Sequence, residues 1–134
     1  MNIRFPCFLI SLLFAQGVIA QDHCFSSPYQ LFDKFDHIFV KGTLLPVRRA
    51  EGNESVVVGL RVKSASLNKN FESVGIRDGA IILEICGNSV GKIFKSSDQN
   101  PTCCSPLQDG KISVTVSNSL IETYKTYFDA DADF

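Results

Sequence analysis

The clearest pattern along the chain is a two-residue alternation at residues 56–63, with Val58, Leu60 and Val62 on one face and Gly59, Arg61 and Lys63 on the other. That period predicts a half-buried strand. A glycine inside such a strand, here Gly59, marks a bulge or a close approach by another backbone. The period returns at residues 111–117, where Ile112, Val114 and Val116 oppose Lys111, Ser113, Thr115 and Ser117, and Ser117-Asn118-Ser119 predicts a hairpin turn after it. A partner strand is expected at residues 120–128. The rival reading of that segment is a helix carrying Leu120, Ile121, Tyr124 and Phe128 on one side. Arg77-Asp78-Gly79 reads as a tight turn into the largely buried strand Ile81-Ile82-Leu83-Glu84-Ile85. Short strands are expected at residues 38–40 and 44–47, the second with Pro46 suited to a sheet edge, followed by a turn at Glu51-Gly52-Asn53-Glu54.

Helical signals are brief. Residues 26–36 offer a capping serine, Pro28 at a first helical position, and Leu31, Phe32 and Phe35 on one face. Phe71-Glu72-Ser73-Val74-Gly75 reads as one helical turn stopped by glycine. Pro101 and Pro106 each cost about 3 kcal/mol inside a helix, so no long helix runs through residues 92–108. These elements predict an α+β domain. Its strand-rich sheet or partial barrel uses residues 56–63, 80–86, 111–117 and 120–128, with short helices near residues 27–35 and 70–74.

Composition sets the scale. The 134 residues are 45% hydrophobic and 20% charged with net charge -1, as expected of one globular domain. The longest basic run is Arg48-Arg49, which excludes a nucleic-acid partner because phosphate recognition needs clustered cations. Arg4, the apolar stretch from Cys7 to Phe14 and the small-residue end Val18-Ile19-Ala20 have the layout of a signal peptide. Cleavage after Ala20 is expected, leaving residues 21–134 as one domain with an N-terminal helical extension and a core at about residues 38–128, no stable membrane anchor, and a periplasmic or secreted location. Neither Cys7 nor Cys24 has the small residues before it that lipidation requires.

Export makes Cys24, Cys86, Cys103 and Cys104 disulfide candidates. A vicinal bridge between Cys103 and Cys104 strains the intervening peptide, so Cys24 and Cys86 are each expected to take one of that pair, in either connectivity. The alternative for Cys86 is a buried free thiol.

The search for chemistry is largely negative. Only His23 and His37 offer imidazole, and no nucleophile signature accompanies them, so no catalytic residue and no enzyme activity are expected. The spacing of His23, Cys24, Cys103 and Cys104 matches no zinc module, and Asp129, Asp131 and Asp133 lack the glycine and distal glutamate of a calcium loop. No metal or cofactor is expected. Asn53-Glu54-Ser55 matches a glycosylation acceptor, which matters only in a eukaryotic secretory route.

One resemblance is specific. Gly59-Leu60-Arg61-Val62, then the segment from Phe71 to Gly79, then residues 81–87 and Val90 resemble a bacterial PDZ domain, and most nearly the periplasmic PDZ domain of the type II secretion inner-membrane protein C family. About 35 residues carry the match. Ala80 stands where that family has aspartate, Cys86 where it has asparagine, and residues 92–108 cannot form its long second groove helix, which is shortened or replaced by a disulfide-tied loop. The resemblance implies an exported, non-catalytic module that binds a protein or peptide partner, associated with type II secretion or another envelope assembly. PDZ domains work by strand addition: a peptide pairs with an exposed strand edge while backbone N–H groups hold its terminal carboxylate. On this reading Val58, Gly59, Leu60, Arg61 and Val62 supply the edge, Gly59 lets the carboxylate approach and Arg61 adds charge. The alternative is a small disulfide-stapled secreted effector or inhibitor that keeps the scaffold without the groove and makes contact through residues 92–108.

Overall fold

A computed structural model describes residues 23–118 and 122–131. The expected signal peptide, Ser119 to Ile121 and Asp133 lie outside them. Strand β1 (His23–Phe25) leads into helix α1 (Pro28–Lys34). Ser27 caps this helix by accepting the Gln30 N–H at 3.4 Å, and the Gln30 side chain reaches back to the Ser26 N–H at 2.7 Å, a variant of the capping box. Leu31 and Phe35 are buried in the main core. The N-terminal helix is thus part of the core, where an extension outside residues 38–128 was expected.

Residues 38–40 form turns instead of the expected strand. The Ile38 and Phe39 N–H groups both bond back to the Phe35 carbonyl, and the carbonyls of His37 and Ile38 are taken by the side chains of Asn70 and Asn68. With those groups satisfied locally, no strand partner is needed. Asn68 is fully buried and also caps helix α2 (Lys69–Ser73) by accepting the Asn70 and Phe71 N–H groups.

Strands β2 (Leu44–Glu51) and β3 (Glu54–Val62) form an antiparallel hairpin closed by Gly52-Asn53. After a 3₁₀ turn at Ala65–Leu67 and α2 come β4 (Ile81–Ile85), the two-residue β5 (Asn88–Ser89), helix α3 (Val90–Phe94), β6 (Thr102–Cys104), β7 (Lys111–Ser117) and β8 (Thr123–Asp129). The main sheet has the order β2-β3-β4-β7-β8 with β5 beside β4, and a separate two-stranded sheet joins β1 to β6. The last hairpin is therefore strand on both sides, and the helical reading of its second arm is wrong: Tyr124 to Phe128 pair in register with Val116 to Ile112. The architecture is α+β and strand-rich.

Alternation in β3 departs from the simple pattern. Val47 pairs with Gly59 but Arg48 pairs with Val57, so Val58 is the extra residue of a bulge. Val57, not Val58, is the buried one of the two, while Leu60 and Val62 face the core beyond the bulge.

The four cysteines pair as Cys24–Cys103 and Cys86–Cys104. Both bridges lead to β6. One ties it to β1 and the other to the turn between β4 and β5.

Candidate functional site

The two halves of β3 have different neighbours on the side away from β2. Leu60 and Arg61 pair with Ile82 and Ile81 of β4, and the Val62 N–H donates to the Ala80 carbonyl at 2.8 Å. Toward the hairpin turn β4 no longer follows: residues 54–58 have no partner strand on that side among the described residues. A two-residue turn closes on the Glu51-Glu54 pair, and antiparallel alternation from there aims the N–H and C=O of Ser55 and Val57 away from β2. What faces them is helix α3.

The position of α3 follows from the turn before it. Cys86 and Gly87 both have positive φ, 55° and 76°, as the primed two-residue hairpin turn requires. Asparagine is favoured at the first of these positions and is absent, but the Cys86 sulfur is bridged to the fully buried Cys104. The Cys86 N–H also donates to the Ser113 carbonyl, and the Asn88 amide donates to the Cys103 carbonyl at 2.9 Å. Ser89 then caps α3 by accepting the Lys92 N–H. Val90 and Ile93 bury the inner face. Gly91 meets β3 so closely that a Cβ there would stand 3.0 Å from the Val57 carbonyl oxygen.

Around that contact two adjoining open depressions form, of about 470 and 500 Å³. Arg48 and Lys95 line the first, with Glu54 and Ser55. Lys92 and Lys95 line the second, with Arg49, Glu51 and Val58. Arg49 is engaged with Glu51 at 3.4 Å. Among the described residues no carboxylate lies within ion-pair distance of Arg48, Lys92 or Lys95, and the Lys92 ammonium donates to the Asn88 side-chain oxygen at 3.2 Å.

The expected edge needs correction. Leu60, Arg61 and Val62 are paired on both sides, so no peptide strand can add there. Gly59 opens no approach for a carboxylate, because a Cβ there would stand 2.6 Å from Ile81 Cγ2 and 3.2 Å from the Ile82 carbonyl oxygen; the glycine serves the packing of β3 on β4. Val58 is the bulged residue. The residues that do face open space, Ser55, Arg48, Lys92 and Lys95, were missed by periodicity. The signal for Ser55 was the Gly52-Asn53 turn, whose two-residue closure fixes which β3 amides point outward.

His37 lies half-buried in the turn after helix α1, with Nε2 2.9 Å from the Asp129 carbonyl oxygen. The Asn53-Glu54-Ser55 triplet sits exposed at the hairpin apex. Among the described residues no cluster of histidine, cysteine and carboxylate side chains could hold a metal ion, and no helix is long and apolar enough to cross a membrane. No family model matches the chain, and neither curated proteins nor solved structures show a significant match to it.

Proposed function

We propose that this protein is an exported, non-catalytic interaction module, PDZ-like in plan, that accepts an extended segment of a partner protein along the first half of β3. The observation that carries the reading is that residues 54–58 have no partner strand on the side away from β2 among the described residues, with Ser55 exposed there beside the two depressions and α3 touching the edge only at Val57. Main-chain groups at a strand edge are a ready template for another strand. The outer edge of β2 is a poor one by comparison, since it carries Pro46, a bulge opposite Val58 and the charges of Arg48 and Arg49. Two disulfides fit an oxidising compartment. Membership of an envelope assembly such as type II secretion rests on the sequence resemblance alone.

The narrow contact of Gly91 with Val57 favours a second reading, in which the cleft stays shut and the disulfide-held segment between α3 and β6 touches the partner. Selection of binders from a random peptide display library separates the two. Ser55→Pro removes one outward N–H without touching the ladder to β2. Selected peptides should bind the parent protein and lose about tenfold in affinity for this variant. Undiminished binding by Ser55→Pro, with loss on substituting Ser97 to Asn100, would establish the loop reading instead.

A further inference from the structure

Resting on the export part of the reading above and not on its docking edge, we infer that Asn53 is the acceptor of an N-linked oligosaccharide on a eukaryotic secretory route.

Asn53-Glu54-Ser55 has the residues this modification requires, an asparagine and a hydroxyl two positions on with no proline between them. The fold presents them to solvent. Every residue from Arg48 to Ser55 is exposed, so the end of the β2-β3 hairpin stands clear of the body. Neither the Asn53 side-chain amide nor the Ser55 hydroxyl makes a hydrogen bond among the described residues. The turn closes on Glu51 opposite Glu54, and like charges in a directly facing pair weaken the hairpin end. A tip held this loosely opens at small cost into the extended loop that a transferase must grip. The other asparagine with a hydroxyl residue two positions on, in Asn100-Pro101-Thr102, is closed to the reaction: proline occupies the middle, Thr102 is buried, and its hydroxyl is bonded to that of Ser96. The sugar donor is a polyprenyl pyrophosphate-linked oligosaccharide. Asn53 Nδ2 attacks the anomeric carbon, and a C–N bond forms as the bond from that carbon to the pyrophosphate oxygen breaks. The polyprenyl pyrophosphate departs with the electron pair, and a base of the transferase takes one Nδ2 proton. Two disulfides suit the same oxidising compartment.

The test expresses the full chain with its own leader in a eukaryotic secretory host. Mass spectrometry then reads the protein in the medium before and after an amidase that strips N-linked glycans. The peptide containing Asn53 should carry a glycan that the amidase removes, converting its asparagine to aspartate. The glycan should be absent from the Asn53→Gln and Ser55→Ala variants and kept by Ser55→Thr, which preserves the hydroxyl. These positions are exposed, so the thermal transition of each variant should match that of the amidase-treated parent and confirm the fold. Secreted protein with a bare Asn53, or with a glycan at Asn100 in its place, would overturn this inference and leave export standing. A chain kept inside the cell with its leader uncleaved would overturn export and this inference together.

Discussion

The two halves of β3 are one continuous strand with opposite fates. Beyond the bulge, Leu60 and Val62 are buried, and their backbone is shared between β2 and β4. Before it, Glu54 and Ser55 are exposed, and the side turned away from β2 meets only a five-residue helix. Because antiparallel alternation is strict, the extra residue at Val58 is what lets the outward amides of Ser55 and Val57 and the paired groups of Leu60 and Val62 lie on the same side. The same strand is thus paired on both sides at one end and with β2 alone at the other.

Substitutions should separate those roles. Leu60→Ala, in the locked half, should cost about 3 to 4 kcal/mol in urea denaturation, the loss expected for a fully buried leucine. Val56→Ala in the open half should cost under about 1 kcal/mol, since that side chain is only half-buried. Removing the Cys86–Cys104 bridge by paired serine substitutions releases a loop of sequence separation 18, worth about 3 kcal/mol in the chain-entropy model. It should also speed amide exchange in α3 more than in β7, because that bridge holds the turn feeding the helix. Gly59→Val should cost about 2 kcal/mol by forcing Ile81 and the β4 backbone aside, and so measures the locked half instead of ligand binding. Smallest of all, Ser55→Pro should shift stability by no more than about 0.5 kcal/mol while still weakening an added strand.

Much of the framework was legible in the sequence, and the reasons for the rest are physical. The strands at residues 81–85 and 111–117 and the stops at Gly75 and Gly79 announce themselves through periodicity and positive-φ glycines. The cysteine pairing was bounded to two choices, and the three-dimensional placement of β6 selected Cys24 with Cys103 and Cys86 with Cys104. Residues 38–40 misled because β-branched and aromatic side chains suggest a strand, whereas the competing partners, Asn68 and Asn70, lie some thirty residues away. The site was misplaced for a related reason. Alternation reports which face of a strand is buried, but says nothing about which edge is paired, and the bulge at Val58 moved the register between the two halves.

Native-state hydrogen exchange, read residue by residue with and without a peptide selected from the display library, tests the central claim most directly. Without peptide, the Ser55 amide should exchange with little protection, while the Val62 amide should exchange only through global unfolding, since it donates to Ala80. Saturating peptide should slow exchange at Ser55 and leave Val62 unchanged relative to the stability gain. Strong protection of Ser55 in the free protein, or no change there when peptide is bound, would contradict the assignment of this half of β3 as the binding edge.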